Sequence, residues 1–284
     1  MTKAIFSIFS LLLINCTNKQ VETPKTAHMD AELVSQVTSV QPGVPFWVAL
    51  KFEMEAGWHV NWKNPGDAGL APSIKWELPE GFRAGEINWP TPQRIPVGDL
   101  MLFGYAGTVL LPVEITPATT FDDDKFTLSA ACDWVVCGDV CIPGEAILTL
   151  TLPVKKESLP TNAEHAAEIA SARNKIPVSN DSWHTTALAD ENIIIIKVAQ
   201  EGVDRIDADS AVFFPEVQGN INNAAEQQFA QDGFGFQLEL NRDKMFPNVP
   251  DSLEGVIVLY YGEFSKMKSV YIDVPLSKKI SIQN

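Results

Sequence analysis

Three of the chain's four cysteines, Cys132, Cys137 and Cys141, lie within ten residues of one another. Thiols this close in sequence can form a disulfide, hold a soft metal ion or exchange electrons with other thiols. Cys137 and Cys141 are separated by three residues that begin with Gly138-Asp139, a pair that favours a turn. A turn of this kind allows the Cα separation of roughly 4.4–6.8 Å that a disulfide requires. We therefore predict a Cys137–Cys141 bond, with Cys132 buried beside it.

The loop that this bond would close is short, so the bond is expected to contribute little to the stability of the fold. In the chain-entropy view such a loop contributes about 2 kcal/mol, against about 4–5 kcal/mol for a loop of roughly a hundred residues. A small exposed ring is better suited to opening and closing by thiol exchange. Two alternatives stay open. One is a passive clip on a hairpin, and the other is a copper or zinc site in which a histidine joins the three cysteines.

The residues around the cysteines predict the strand that must position them. From Phe126 to Val136 every second side chain is apolar, which is typical of a half-buried β-strand. Cys132 falls on the apolar face, and Cys137 falls on the opposite one. The cysteines are therefore expected to differ in their surroundings.

The rest of the 284-residue chain is predicted to be all-β, with two immunoglobulin-like β-sandwich domains joined by a short helical linker. The sandwiches are expected at residues 30–155 and 181–284, and the linker at 156–180. Thr161 is the expected N-cap of the linker helix, with Glu164 as its capping-box partner. Strands are expected at 31–40, 46–52, 57–62, 74–78, 86–89, 109–115, 126–136 and 147–154, then at 183–188, 193–199, 211–214, 234–240, 256–261 and 270–274. A turn is expected at Asn64-Pro65-Gly66-Asp67 and a short helical turn at 222–229.

The N-terminus is typical of an export signal. Lys3 precedes an eleven-residue, mostly apolar run, too short for a bilayer core that needs about 20 residues, so residues 1–16 are interpreted as a signal peptide. Leu13-Ile14-Asn15-Cys16 resembles a bacterial lipobox, which implies lipidation of Cys16, although Asn15 departs from the usual small residue. Residues 17–29 form a polar tether. Export implies an oxidising compartment, in which disulfides persist.

The charge balance limits the partners. The net charge is −15 and the pI is near 4.6, which argues against nucleic acid and anionic membrane surfaces, so the membrane is expected to be met through the lipid anchor only. Acidic residues, Asp133, Asp139 and Glu145, also surround the cysteine pair. Nearby negative charge disfavours a thiolate. Unless the fold brings Arg94 or Lys63 close, the pair is expected to be attacked by a partner's thiolate.

Two long blocks of sequence resemble the exported N-terminal region of the DsbD/ScsB family of thiol:disulfide interchange proteins. One is Gly57–Leu70, with the later Phe103-Gly104-Tyr105-Ala106-Gly107 and Leu111-Pro112-Val113, and the other is Trp134–Pro143. The second half, with Phe213-Phe214-Pro215, resembles the extra β domain of ScsB-type members.

The resemblance implies a redox module whose catalytic residues are Cys137 and Cys141, with no cofactor and no metal. It implies a carrier of the protein-disulfide reductase type. Because the family's membrane channel and thioredoxin domain are absent from these residues, the expected partners are a separate thioredoxin-fold or membrane-embedded thiol reductase and an exported client protein. Residues 89–100 occupy the place of the loop that caps the cysteines in classical members.

A second class of function remains open, a non-catalytic surface-binding lipoprotein with a protein or glycan ligand and a structural disulfide. Trp58, Trp62, Trp76 and Trp89 are the candidates for a glycan-binding face, although sandwich cores use tryptophan too. His59 is interpreted as a hydrogen-bonded structural histidine. A carrier's disulfide should equilibrate with glutathione-range buffers, whereas a structural one should resist until unfolding.

Overall fold

The structure, a computed structural model, describes residues 25–120, 123–156, 161, 164–202, 205–246, 248–262 and 266–278. The signal peptide, Cys16 and most of the polar tether lie outside this part of the chain. The described strands are β1 (Lys25–Thr26), β2 (Met29–Ser35), β3 (Phe46–Met54), β4 (His59–Gly66), β5 (Ser73–Glu77), β6 (Arg83–Ala84), β7 (Gln93–Val97), β8 (Leu100–Ala106), β9 (Thr108–Thr116), β10 (Lys125–Cys137), β11 (Cys141–Pro153), β12 (Trp183–Ala189), β13 (Ile193–Gln200), β14 (Ser210–Pro215), β15 (Gln228–Asp232), β16 (Gly235–Asn241), β17 (Ser252–Tyr261) and β18 (Lys266–Lys278). The helix is α1 (Ala166–Arg173).

The first half of the chain forms a sandwich of two sheets. One sheet has the strand order β1-β2-β3-β9-β6, and the other has the order β11-β10-β4-β8-β7, with β5 paired to β10. Alternate side chains of β10 are buried from Phe126 to Val136, as the sequence pattern predicts. They pack against β3 and β9 of the facing sheet, so that the core fixes which face of β10 points outward.

Several element boundaries in this half differ from prediction. Residues 86–89 are not a strand, and β7 and β8 form a hairpin that the sequence analysis missed. The predicted turn at 64–67 is wrong, because β4 continues to Gly66 through an irregularity in its pairing with β8. β11 begins at Cys141, well before the predicted start at 147. It pairs with β10 along its whole length, and this pairing overrides the preference of Pro143-Gly144 for a turn.

Helix α1 packs on the outside of the first sandwich. Its Ile169 and Ala172 are buried against Val34, Ala49 and Leu110 of the sheet that holds β2, β3 and β9. The predicted N-cap is wrong, since the cap residue is His165, whose side chain makes no capping hydrogen bond. The helix is therefore held by tertiary packing of these two residues.

The second half is again all-β, as predicted. Its seven strands form one sheet with the order β14-β17-β18-β12-β13-β16-β15. The long strand β18 pairs with both β17 and β12, and the buried side chains of these strands share one hydrophobic core. The helical turn predicted at 222–229 is wrong, because a turn at Asn223 and Ala224 leads into β15. No helix among the described residues is long and apolar enough to cross a membrane.

The two halves share a packed boundary. The ring of Phe214 contacts Trp62 and Phe103 of the first half, with ring centroids 6.4 and 5.1 Å apart. Asn64 Nδ2 donates to the Pro215 carbonyl at 2.7 Å, and Lys63 pairs with Glu216. The second half therefore rests on β4, the strand next to β10 in the sheet that carries the cysteines.

Candidate redox site

The predicted disulfide lies at the end of the β10–β11 hairpin. Cys137 and Cys141 are the last register pair of that ladder, with an S–S distance of 2.07 Å and a Cα–Cα distance of 4.1 Å. Gly138 N–H donates to the Val140 carbonyl at 2.9 Å, which closes the turn between the two cysteines. The prediction that these two cysteines pair is confirmed.

The two bonded cysteines differ in exposure. Cys137 is 1% exposed, whereas Cys141 is an exposed residue of the outermost strand. The predicted exposed ring is therefore exposed on one side only. Because thiol exchange needs an attacking sulfur to reach the bond, Cys141 is the more accessible residue of the pair.

An aromatic stack covers the chain directly after Cys137. The indole of Trp58 lies against Gly138, where an added Cβ would stand 3.1 Å from the ring. The imidazole of His28 stacks on the same indole with centroids 4.0 Å apart and a 7° angle between the rings, and its Nδ1 lies 2.7 Å from Glu55 Oε2. This stack restricts the approach to the bond from the side of Gly138.

His59 of β4 stands directly opposite Cys137 in the ladder, so both side chains lie on the same face of the sheet. It is 3% exposed, and its Nε2 has no hydrogen-bond partner among the described residues. Burial lowers the pKa of the imidazole, which favours the neutral form. The interpretation as a satisfied structural histidine is therefore wrong in one respect, since Nε2 is buried without a partner.

Cys132 is buried in the core of the sandwich, as predicted. It is 1% exposed and its Sγ donates to the Ala130 carbonyl at 3.6 Å. Burial, together with the charge of Asp133, raises the pKa of the thiol to about 12. The described residues contain no group of three or more His, Cys, Asp or Glu that could hold a metal ion. Cys132 is therefore a protonated, enclosed thiol.

Lys63 and Arg94, the two cations considered in the sequence analysis, are engaged elsewhere. Lys63 pairs with Glu216, and Arg94 Nη2 donates to the carbonyls of Asn223 and Ala225 at 2.6 and 3.2 Å. Both contacts join the two halves of the chain. Neither Arg94 nor Lys63 therefore offsets the acidic residues around the cysteine pair.

The remaining sequence candidates separate in the structure. Trp62 is fully buried, and Trp58, Trp76 and Trp89 are partly buried against the same core, so the four do not form one exposed face. The segment expected as a cap, 89–100, contains β7, and β8 and β4 separate that strand from β10 in the sheet.

Sequence reasoning did not assign a role at the site to Trp58 or to the loop after β4. The available signal was the block Gly57–Leu70, which carries the family resemblance and supplies Trp58, His59 and Leu70. Its position beside the hairpin depends on the pairing of β4 with β10, a contact between distant parts of the chain.

Comparison with known proteins agrees with this geometry. Residues 27–153 match the family described as "Thiol:disulfide interchange protein DsbD, N-terminal". The chain is similar in structure to the N-terminal periplasmic domain of ScsB from Proteus mirabilis, with a TM-score of 0.63 and 17% identity over 89% of this chain and 95% of that one. At that identity the likeness establishes a shared fold.

Two other solved structures align far less well. A titin fragment, A168169, has 15% identity and a TM-score of 0.19 over 88% of this chain and 98% of that one. A conserved domain protein from Bacillus anthracis has 10% identity and a TM-score of 0.23 over 86% of this chain and 84% of that one, and neither supports an argument. No curated protein sequence matches the chain. The family match over residues 27–153 and the fold shared with the ScsB domain support a DsbD/ScsB N-terminal domain in this part of the chain, which contains the cysteine hairpin.

Proposed function

We propose that this protein is an exported thiol:disulfide exchange module that relays electrons between a reductase and client proteins. The observation that carries the proposal is the Cys137–Cys141 bond, which joins an exposed residue to a buried one at the tip of a hairpin in a DsbD/ScsB-type domain. The bond closes a hairpin that is already paired over thirteen residues of each strand. A clip at that point would add little to the pairing, which favours the redox role.

The proposed reduction proceeds in two balanced steps. A thiolate of the reduced partner attacks Cys141 Sγ, the Cys137–Cys141 bond breaks, and Cys137 leaves as a thiolate that takes up a proton. The partner's second thiolate then attacks the partner's sulfur in the mixed disulfide, and Cys141 leaves as a thiolate that takes up a proton. The partner ends as a disulfide and the module as a dithiol, so that two electrons have moved.

Delivery to a client reverses these roles. The Cys141 thiolate attacks a disulfide of the exported client, and one client sulfur leaves and is protonated. Cys137 then attacks Cys141 in the mixed disulfide, which restores the Cys137–Cys141 bond and frees the client's second sulfur. The client is reduced by two electrons and the module is oxidised again.

The charges around the hairpin favour a partner that supplies the attacking thiolate. Asp133, Asp139 and Glu145 are exposed near the pair, and neither Arg94 nor Lys63 offsets them. A thioredoxin-fold or membrane-embedded reductase would provide such a thiolate. Periplasmic export with a lipid at Cys16 completes the proposal, and both belong to residues outside the described part of the chain.

A trapping experiment tests the carrier role. The Cys137→Ser protein, activated as a mixed disulfide at Cys141, is offered to purified thioredoxin-fold reductases and to an exported fraction. We expect a covalent adduct with a thioredoxin-fold protein, released by dithiothreitol. If glutathione alone is captured, and the wild-type pair resists every reductase, the carrier proposal fails and the structural clip stands.

A further inference from the structure

A groove of about 630 Å³ lies beside the hairpin that carries the disulfide, and we call it the hairpin groove. It is bounded by β10, β11 and the loop between β4 and β5. Its lining residues are Leu70, Ala71, Ser73, Asp133, Trp134, Val135, Pro143, Gly144 and Glu145.

The hairpin groove leads directly to Cys141, the exposed residue of the bonded pair. Val135 and Pro143 form the register pair two positions before Cys137 and Cys141. Because side chains repeat every second residue along a strand, these two pairs lie on the same face of the hairpin. A segment that fills the groove therefore passes next to the bond that must be attacked.

Part of the hairpin groove is apolar and open to solvent. Leu70 is 67% exposed, Pro143 is exposed, and Ala71 and Val135 are half-buried. Val140, at the tip of the turn, is also exposed. An exposed apolar surface beside a reactive bond is typical of a site that another molecule covers.

The far end of the hairpin groove is acidic. Asp133 and Glu145 stand directly opposite each other in the ladder, an arrangement of like charges that costs stability. Neither forms an ion pair among the described residues, and the contact of Asp133 is with Ser73 Oγ at 3.4 Å. Lys75 lies two residues beyond Ser73 on β5 and pairs with neither carboxylate. A cation from outside would relieve the repulsion.

We propose that the hairpin groove docks the segment of the redox partner that carries its attacking cysteine. That segment presents an apolar side chain to Leu70 and Val135 and a lysine or arginine to Asp133 and Glu145. The proposal rests on the proposed function and adds to it the chemistry by which the partner is recognised.

The test compares thiols that differ only in the groove-binding feature. Two short synthetic peptides carry one cysteine and one leucine, followed by arginine in the first peptide and by glutamate in the second. 2-Mercaptoethanol, whose thiolate has no side chain that could fill the groove, reports on the reactivity of the disulfide itself. The rate of mixed-disulfide formation at Cys141 of the oxidised protein is measured by quenched mass spectrometry.

We expect the arginine peptide to react about fivefold faster than the glutamate peptide at low salt, because charges at the edge of a site act on association rates. The Asp133→Asn, Glu145→Gln double variant should bring the two rates together, and so should high salt. The matched control, Glu86→Gln with Glu114→Gln, removes two exposed carboxylates near the opposite sheet and should keep the difference. The ratio of the arginine-peptide rate to the 2-mercaptoethanol rate should fall in the double variant and stay unchanged in the control, because 2-mercaptoethanol attacks as a thiolate and senses the same local charge.

The outcomes separate the two proposals. Equal rates for both peptides with the wild-type protein overturn the groove proposal and leave the carrier role intact. No reaction with any thiol overturns the carrier role itself. As a second measurement, a peptide with serine in place of cysteine is titrated into labelled protein. Amide shifts confined to the lining residues support docking, and shifts elsewhere or none contradict it.

Discussion

Cys137 and Cys141 share one bond across a Cα distance of 4.1 Å, yet the first is enclosed and the second faces solvent. This asymmetry predicts the order of reaction in the reduced protein. Iodoacetamide should alkylate Cys141 first, and Cys137 and Cys132 should react only after denaturation. Peptide mapping by mass spectrometry at successive times measures the order. The Cys141→Ser variant should show no rapid alkylation, and equal rates at Cys137 and Cys141 would count against the asymmetry.

Cys132 should contribute stability but no electrons. Cys132→Ala should lower the free energy of unfolding by about 1 kcal/mol through lost packing, with thiol exchange at the hairpin unchanged. Urea unfolding and the reaction with 2-mercaptoethanol measure the two effects. Loss of exchange with an unchanged fold would instead make Cys132 a third redox partner.

The raised pKa of Cys132 predicts a pH dependence with a definite sign. The thiol has an ordinary pKa of 9.0 and a folded pKa of about 12, so the folded state holds a proton that the unfolded state loses. This contribution to stability is complete below pH 9 and is lost as the pH rises toward 12. Between those values the wild-type protein should lose more stability than Cys132→Ala does, and parallel curves would contradict the assignment.

His59 should titrate in the opposite direction. Its pKa is lowered from 6.5 by burial, so the unfolded state takes up a proton before the folded state does. Its contribution to stability is complete above pH 6.5 and is lost as the pH falls below that value. His59→Leu removes a buried nitrogen without a partner, so we expect stability at pH 7 to be equal or higher and less of it to be lost at pH 5. A steeper loss in the variant, measured by urea unfolding at both pH values, would contradict this account.

The second half of the chain should act on the site through the loop after β4. Gln218 Nε2 donates to the Gly66 carbonyl at 2.9 Å, and Asn223 Nδ2 donates to Asp67 Oδ1 at 2.8 Å, three residues before Leu70. The Gln218→Ala, Asn223→Ala double variant should speed hydrogen exchange at residues 66–73 and slow the reaction with the arginine peptide about twofold. The rate with 2-mercaptoethanol should not change.

The control for that variant is Gln231→Ala, which removes a bond of the same kind to the Ala208 carbonyl within the second half. It should leave hydrogen exchange at 66–73 unchanged. If both proteins behave alike, the boundary between the halves does not position the loop.

The sequence predicted those parts of the site that depend on local pattern. The alternation from Phe126 to Val136 is enough to bury Cys132, and the Gly138-Asp139 turn is enough to pair the flanking cysteines. Local pattern failed where distant strands decide the outcome. β11 is drawn into a strand from Cys141 onward by its partner β10, although Pro143 and Gly144 argue against it.

The surroundings of the disulfide were not predictable for the same reason. His59 reaches Cys137 only through the pairing of β4 with β10, and Leu70 reaches the hairpin only because its loop returns beside β10. The N-cap expected at Thr161 shows the limit of motif reading. The short helix begins at Ala166, where Ile169 and Ala172 can be buried against the sheet.

The measurement that tests the central claim most directly is a redox titration of the folded Cys132→Ala protein. The substitution removes the free thiol beside the bonded pair. The fraction of Cys137–Cys141 bond is followed by alkylation and mass spectrometry across glutathione buffers, and the fold by near-ultraviolet circular dichroism. We predict a reversible two-electron transition, with a slope of about 30 mV per tenfold change in the thiol ratio and an intact fold throughout. A bond that persists until the circular dichroism signal is lost would contradict the account and leave a structural clip.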